Sequence, residues 1–115
     1  LTTFGPLFVP PALREAVSDR AWVDAMVRAE RALVPDLDVP ELDVDALFEQ
    51  GRDVGNPVEP LVRVLRERTP AAHRGATSQD ILDTAAMLVA RDAVALILRE
   101  LEGAGDACAR LAEAH

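Results

Sequence analysis

His73-Arg74-Gly75-Ala76-Thr77-Ser78-Gln79-Asp80 gathers an imidazole, two hydroxyls, a carboxamide and a flexible glycine just ahead of an apolar-periodic run that lasts to His115. If that run is a helix, this stretch is its mouth. The first N–H groups of a helix lack intrahelical partners, and the helix dipole favours an anion there. Thr77, Ser78 and Gln79 add side-chain donors, and Gly75 lets a ligand approach the backbone. His73 supplies a positive charge or a proton near neutral pH. Carboxylate binding is the chemistry such a set performs. A second account needs no ligand: Thr77, with Asp80 three residues on, matches a capping box that simply starts the helix. On the residues alone both accounts stay open.

Other chemistries find less support. His73 and His115 lie far apart and show no metal-ligand spacing, so no metal is expected. Ser78 has no nucleophile-elbow context. Asp80 and Asp83 are neighbours on a helix and serve equally well as surface charges.

The elements that must position these residues read as helices. Residues 1–11 hold Gly5, Pro6, Pro10 and Pro11 and read as an irregular arm. Ser18-Asp19 caps a helix over residues 20–34, with Trp22, Met26, Ala29 and Leu33 on one apolar face and Arg20, Asp24, Arg28 and Arg31 mostly in solvent. Trp22 is assigned to the core. Residues 35–45 alternate Asp with apolar residues, but Pro40 and the missing central Gly break the calcium-loop pattern. They read as a solvated linker feeding an N-cap at Asp43. A short helix over 44–54 closes at Gly55. Gly55-Asn56-Pro57 is a turn, followed by a helix over 57–68 whose buried face is Val58, Leu61, Val62 and Leu65. Asn56 satisfies the turn backbone on one reading and is a weaker substrate-binding candidate on the other.

From Gln79 onward, Ile81, Leu82, Ala85, Leu88, Val89, Ala93, Leu96, Ile97, Leu101, Ala104, Cys108 and Leu111 trace a wide stripe. Unbroken, such a helix extends roughly 55 Å, and Gly103 and Gly105 are the places where it could bend. A domain this small cannot bury a stripe that long. The stripe needs neighbours from further chain or from other subunits. The ending Arg110-Leu111-Ala112-Glu113-Ala114-His115 has no stop signal, so an N-terminal fragment of a longer chain is expected.

Composition sets outer bounds. In 115 residues half are hydrophobic, yet there are only three Phe, one Trp and no Tyr. A core of Ala, Val and Leu suits closely packed helices. Every basic residue is Arg, which removes Schiff-base and P-loop lysine chemistry from this segment. A net charge of −8 argues against nucleic acid as partner, although local donors can still hold a small anion. The single Cys108 permits no internal disulfide, which fits a cytoplasmic location. No long charge-free apolar span suggests a membrane.

The run from His73 to Ala85, His-Arg-Gly-Ala-Thr-Ser-Gln-Asp-Ile-Leu-Asp-Thr-Ala, resembles the first signature region of the fumarase/aspartase superfamily, most of all its bacterial 3-carboxy-cis,cis-muconate cycloisomerase group. Gly55-Asn56-Pro57-Val58-Glu59-Pro60-Leu61-Val62 is similar to that group's Gly-Asn-Pro segment. Met26 to Leu33 resembles its early helix, where a Glu precedes Ala-Leu. The resemblance implies an all-α architecture, with residues 1–76 as an N-terminal helical domain and 77–115 as the start of a long central-bundle helix. It implies a homotetramer with active sites shared by three subunits, a small tricarboxylate substrate, and no metal or organic cofactor. By the same likeness His73, Thr77 and Ser78 line the substrate pocket, with Gln79 beside them and Asn56 a further candidate. The implied reaction is reversible lactonisation of 3-carboxy-cis,cis-muconate, whose reverse is a β-elimination.

The family's second signature, with another His, and its Ser-rich third are not among these residues. The fragment alone is therefore expected to be inactive, with no catalytic acid or base assigned in it. The intervals from Leu33 to Asn56 and from Arg68 to His73 look short for the family. An adenylosuccinate lyase-type enzyme and a non-catalytic helical assembly module are the competing readings.

Overall fold

The computed structural model describes residues 5–115. These form six helices and no strand: α1 (Gly5–Phe8), α2 (Pro11–Ala16), α3 (Asp19–Leu33), α4 (Val44–Val54), α5 (Val58–Arg68) and α6 (Ser78–Ala114). The all-α expectation holds. The helix starts are made by the residues whose chemistry suits them. Ser18 accepts the Ala21 N–H at 3.2 Å and Asp43 that of Ala46 at 3.0 Å. The Asn56 side-chain oxygen takes both the Val58 and Glu59 N–H groups, at 3.0 and 3.2 Å. Gly55 closes α4 at φ 80°, a conformation that costs a glycine little. Helix α5 differs from its expected span by one residue at its start, and α3 and α6 each begin and end one residue earlier than expected.

Two readings of the segments outside the longer helices need correction. The first four positions of the expected irregular arm lie outside the described residues, and from Gly5 on the chain coils into α1 and α2 instead. Pro10-Pro11 reads as a breaker, yet Pro11 is the first residue of α2, where its missing N–H is no loss. The acidic linker is more than solvated chain. Asp36, Asp38 and Glu41 are exposed, but Leu37 is buried and Val39 and Leu42 pack on the core. The Asp38 N–H donates to Thr69 Oγ1 at 3.0 Å, which straps this segment to the end of α5.

The core forms where α3 lies along α6, with α5 packed against α4 and α6. Val23, Met26, Val58, Leu61 and Leu65 are fully buried, and Trp22 is half-buried against them. Leu33 is 43% exposed, contrary to its assignment to the apolar face. The rest of that face holds, with Met26 and Ala29 buried, and the buried stripe of α3 widens from it to take in Val23, Val27 and Glu30.

Helix α6 runs through Gly103 and Gly105 without a break. Its buried residues, Ile81, Ala85, Val89 and Ala93, all lie in the first half. Beyond Ala93, Val94, Ile97, Leu98, Leu101 and Leu111 are between 42% and 61% exposed. Among the described residues no helix is long and apolar enough to cross a membrane.

Gly51 marks the closest approach of α4 to the turn before α5. A Cβ there would stand 3.1 Å from the Asn56 carbonyl oxygen and 3.1 Å from Pro57 Cα, both backbone atoms. Gly51→Ala gains about 1 kcal/mol of helix propensity and loses about 1–3 kcal/mol to overpacking. The expected result is net destabilisation, read as a lower urea midpoint. A rise in the midpoint would show that the turn yields freely.

Candidate functional site

The approach to α6 is a turn over residues 70–75, and it is pinned from two sides. From α3, Glu30 reaches it with a fully buried side chain. One carboxylate oxygen accepts the His73 backbone N–H at 2.9 Å, and the other lies 2.6 Å from His73 Nδ1. From α5, Arg66 Nε donates to the Ala72 carbonyl at 3.2 Å. His73 itself adopts φ +62°, and Gly75 adopts φ +80°. Left-handed backbone at a non-glycine residue persists only when its surroundings enforce it, and the pair of contacts to the Glu30 carboxylate does so here.

The turn delivers His73 to a cleft of about 350 Å³ between α5 and the start of α6, lined by Glu59, Val62, Arg63, Arg66, His73 and Ser78. Glu59 is paired with Arg63 at 3.4 Å. Among the described residues the Ser78 hydroxyl and the Arg66 Nη groups make no hydrogen bond, and both remain free to act as donors. Ser78 is the first residue of α6, so the cleft also meets the unpaired N–H groups of that helix. The cleft thus gathers two guanidinium groups, an imidazole, a hydroxyl and a helix N-terminus around one carboxylate, Glu59, which Arg63 pairs; Arg can grip a carboxylate with two parallel bonds.

The five residues expected at a site divide. His73 and Ser78 share the cleft. Thr77 is engaged in the capping box: its N–H and hydroxyl donate to Asp80 Oδ2 at 2.7 and 2.9 Å, and its Oγ1 accepts the Asp80 N–H at 3.3 Å. Gln79 donates to Asp83 one turn on. Asn56 lines a separate depression with Phe48, Gly51 and Arg52 while it caps α5. Sequence reasoning missed Arg63 and Arg66, whose spacing of three on α5 puts them on one face. It also missed the role of Glu30, a lone acid four residues after buried Met26 on an apolar helix face. Among the described residues no three His, Cys, Asp or Glu side chains gather as metal ligands.

The capping box carries a pH signature. Hydrogen bonds from the Thr77 backbone and then its hydroxyl hold the Asp80 carboxyl below its ordinary range, with a smaller contribution from nearby His73. A carboxylate whose folded pKa is depressed contributes stability above its unfolded value and loses it as pH falls through the folded one. Asp92, held down chiefly by Arg91 and also by Arg28, adds in the same direction. Below about pH 4 the urea midpoint is expected to fall. Asp80→Asn should lower the midpoint at neutral pH and flatten that acid-side slope. An unchanged slope in the variant would mean the box contributes nothing to folding.

No protein-family profile matches the chain, and no solved structure gives a match. Curated proteins do match. The nitrosuccinate lyase of Streptomyces davaonensis is 41% identical, with 96% of this chain and 29% of that enzyme aligned. The 3-carboxy-cis,cis-muconate cycloisomerase of Pseudomonas putida is 36% identical over 97% of this chain and 33% of the enzyme. The cycloisomerase of Acinetobacter baylyi is 32% identical over 86% and 28%. The chain thus spans about a third of the length of these relatives and corresponds to their N-terminal segment. The alignment with the Streptomyces enzyme occupies 136 positions, more than the 115 residues of the chain, so that relative carries internal stretches absent here. A cycloisomerase likeness and a lyase likeness therefore stand side by side on the same segment, and by them the chain belongs to the fumarase/aspartase superfamily.

Proposed function

We propose that this chain supplies the carboxylate-binding part of a composite active site in a superfamily enzyme that acts on a small polycarboxylate. The supporting observation is the cleft at the start of α6, where Ser78 and His73 face Arg63 and Arg66. On this reading the cleft grips a substrate carboxylate and orients the adjacent carbon–carbon bond, while proton transfer belongs to residues outside this chain. The reaction proposed is the reversible lactonisation of 3-carboxy-cis,cis-muconate, the substrate in the names of four of the matched relatives. A second reading, elimination from a nitro-substituted succinate, is favoured by the 41% identity to the Streptomyces lyase. Both substrates present carboxylates to the same cleft.

Assembly follows from α6. We propose that copies of the protein cover the apolar stripe beyond Ala93 in a homotetramer, and that the composite site forms there. Exposed Ile97, Leu98 and Leu101 are the support. A cytoplasmic setting is proposed on the lone Cys108.

The test is a chemical-shift titration of this chain with 3-carboxy-cis,cis-muconate and, separately, with nitrosuccinate. Shifts should centre on Ser78, His73 and Arg66, and Arg66→Ala should weaken binding about tenfold or more, the loss of one charge-assisted pair. The preferred substrate is the tighter of the two. Equal binding by Arg66→Ala would remove the cleft from the reading, and turnover by this chain alone would sink the composite site.

A further inference from the structure

Glu30 does more than hold a turn in place. Its carboxylate faces two groups of the same residue, the His73 backbone N–H at 2.9 Å and the ring Nδ1 at 2.6 Å. An ionised carboxylate only accepts hydrogen bonds, so with Glu30 ionised the 2.6 Å contact requires a proton on Nδ1. The other ring nitrogen, Nε2, has no hydrogen-bond partner among the described residues, yet no buried side-chain nitrogen or oxygen among them is left without one. Nε2 is therefore open to solvent in the cleft that His73 lines. With its one proton committed to Glu30, a neutral His73 offers the cleft only a lone pair, and a lone pair repels a carboxylate. The ring can donate from Nε2 only by taking up a second proton.

We infer that Glu30 is a positioning residue which fixes the tautomer of His73, and that a carboxylate ligand can bind at Nε2 only together with a proton. The ligand half of this inference rests on the carboxylate-site reading above; the tautomer half does not. The other charged groups around the ring are accounted for. Glu59 of α5 is paired with Arg63, and Arg66 of α5 is bonded to the Ala72 carbonyl. Asp80 of α6 is held by Thr77. Ser78 of α6, at the cleft wall, carries no charge. None of these groups offers Nδ1 a competing partner.

Glu30→Gln separates this role from a structural one. The amide has the same shape, its oxygen accepts the His73 N–H, and its NH2 group then faces Nδ1 as a donor. That reverses the ring: Nδ1 becomes the acceptor, Nε2 carries the proton, and the neutral imidazole donates to a carboxylate directly.

The experiment uses nitrogen NMR of the imidazole in both proteins, then titration calorimetry with succinate in buffers of different ionisation enthalpy. It is run near pH 8, where succinate is fully ionised and unperturbed histidine is neutral. Expected is an Nδ1–H ring in the wild type and an Nε2–H ring in Glu30→Gln. Binding by the wild type should take up about one proton, so that affinity falls about tenfold per pH unit. Binding by the variant should take up none. An Nε2–H ring in the wild type, or equal proton uptake by both proteins, overturns the inference. If the tautomers are as expected but succinate moves no signal of His73 or Ser78, the carboxylate-site reading fails and the proton-coupled half fails with it.

Discussion

Replacing Glu30 by Ala should cost on the order of 3–4 kcal/mol of folding free energy. The loss has three parts. The His73 N–H and the ring N–H lose their acceptor in a place water reaches poorly, since the Glu30 side chain is fully buried and that of His73 is 13% exposed. The left-handed backbone at His73 loses the bond that enforces it. A void opens on α3 beside Met26. Urea denaturation measures the total, and Glu30→Gln, which keeps the shape and both contacts, should fall well short of it. Equal losses for Ala and Gln would mean that negative charge, and not hydrogen bonding, holds the turn. Loss of less than about 1 kcal/mol in Glu30→Ala would show that Arg66 and the chain itself suffice to form it.

The second large effect lies in the core. Leu65 has no exposed surface and sits where α5 meets the rest of the helices. Leu65→Ala should destabilise the protein by about 2–5 kcal/mol, the transfer free energy of the lost methyl groups plus the cavity they leave. Single domains have only about 5–15 kcal/mol in all, so the variant should sit near its unfolding transition at moderate temperature. Leu101→Ala provides the contrast. That side chain is 61% exposed, and in dilute solution its loss should change stability by no more than about 0.5 kcal/mol. At concentrations where copies associate, Leu101→Ala should weaken association instead, measurable by sedimentation. A large stability loss from Leu101→Ala in the dilute protein would mean that its cleft with Pro10, Ala12 and Leu13 carries part of the folding energy.

What the sequence made legible follows from local rules. Ser18, Asp43, Gly55 and Thr77 act within four residues of themselves, so their cap and turn roles could be read directly and recur in the structure. The buried face of α5 followed from helical spacing alone. Two short helices did not, because Pro11 reads as a breaker until its place at a helix start is known. The strap over Leu37, Val39 and Leu42 was hidden by its own aspartates: alternation marked one face as polar, while the other face is what touches the core. The candidate site was half legible. His73 and Ser78 lie in the motif, but Glu30 is 43 residues before His73. Arg66 belongs to a different helix. Groups brought together by packing leave no mark on local spacing, apart from the oddity of an acid on an apolar helix face.

Helix α6 buries its last side chain at Ala93, shares an apolar cleft with Pro10, Ala12 and Leu13 from Leu96 to Ala104, and runs on from there to Ala114. A short helical stretch with no packed neighbour is marginal in water, so opening should be graded along this one element. Amide hydrogens before Ala93 should exchange only when the whole core opens, and those beyond Ala104 should exchange through fraying of the helix end. The molecule then carries a built-in ruler. The position along α6 at which protection collapses reports how much of the helix is covered, and its movement toward His115 with rising protein concentration would record assembly residue by residue.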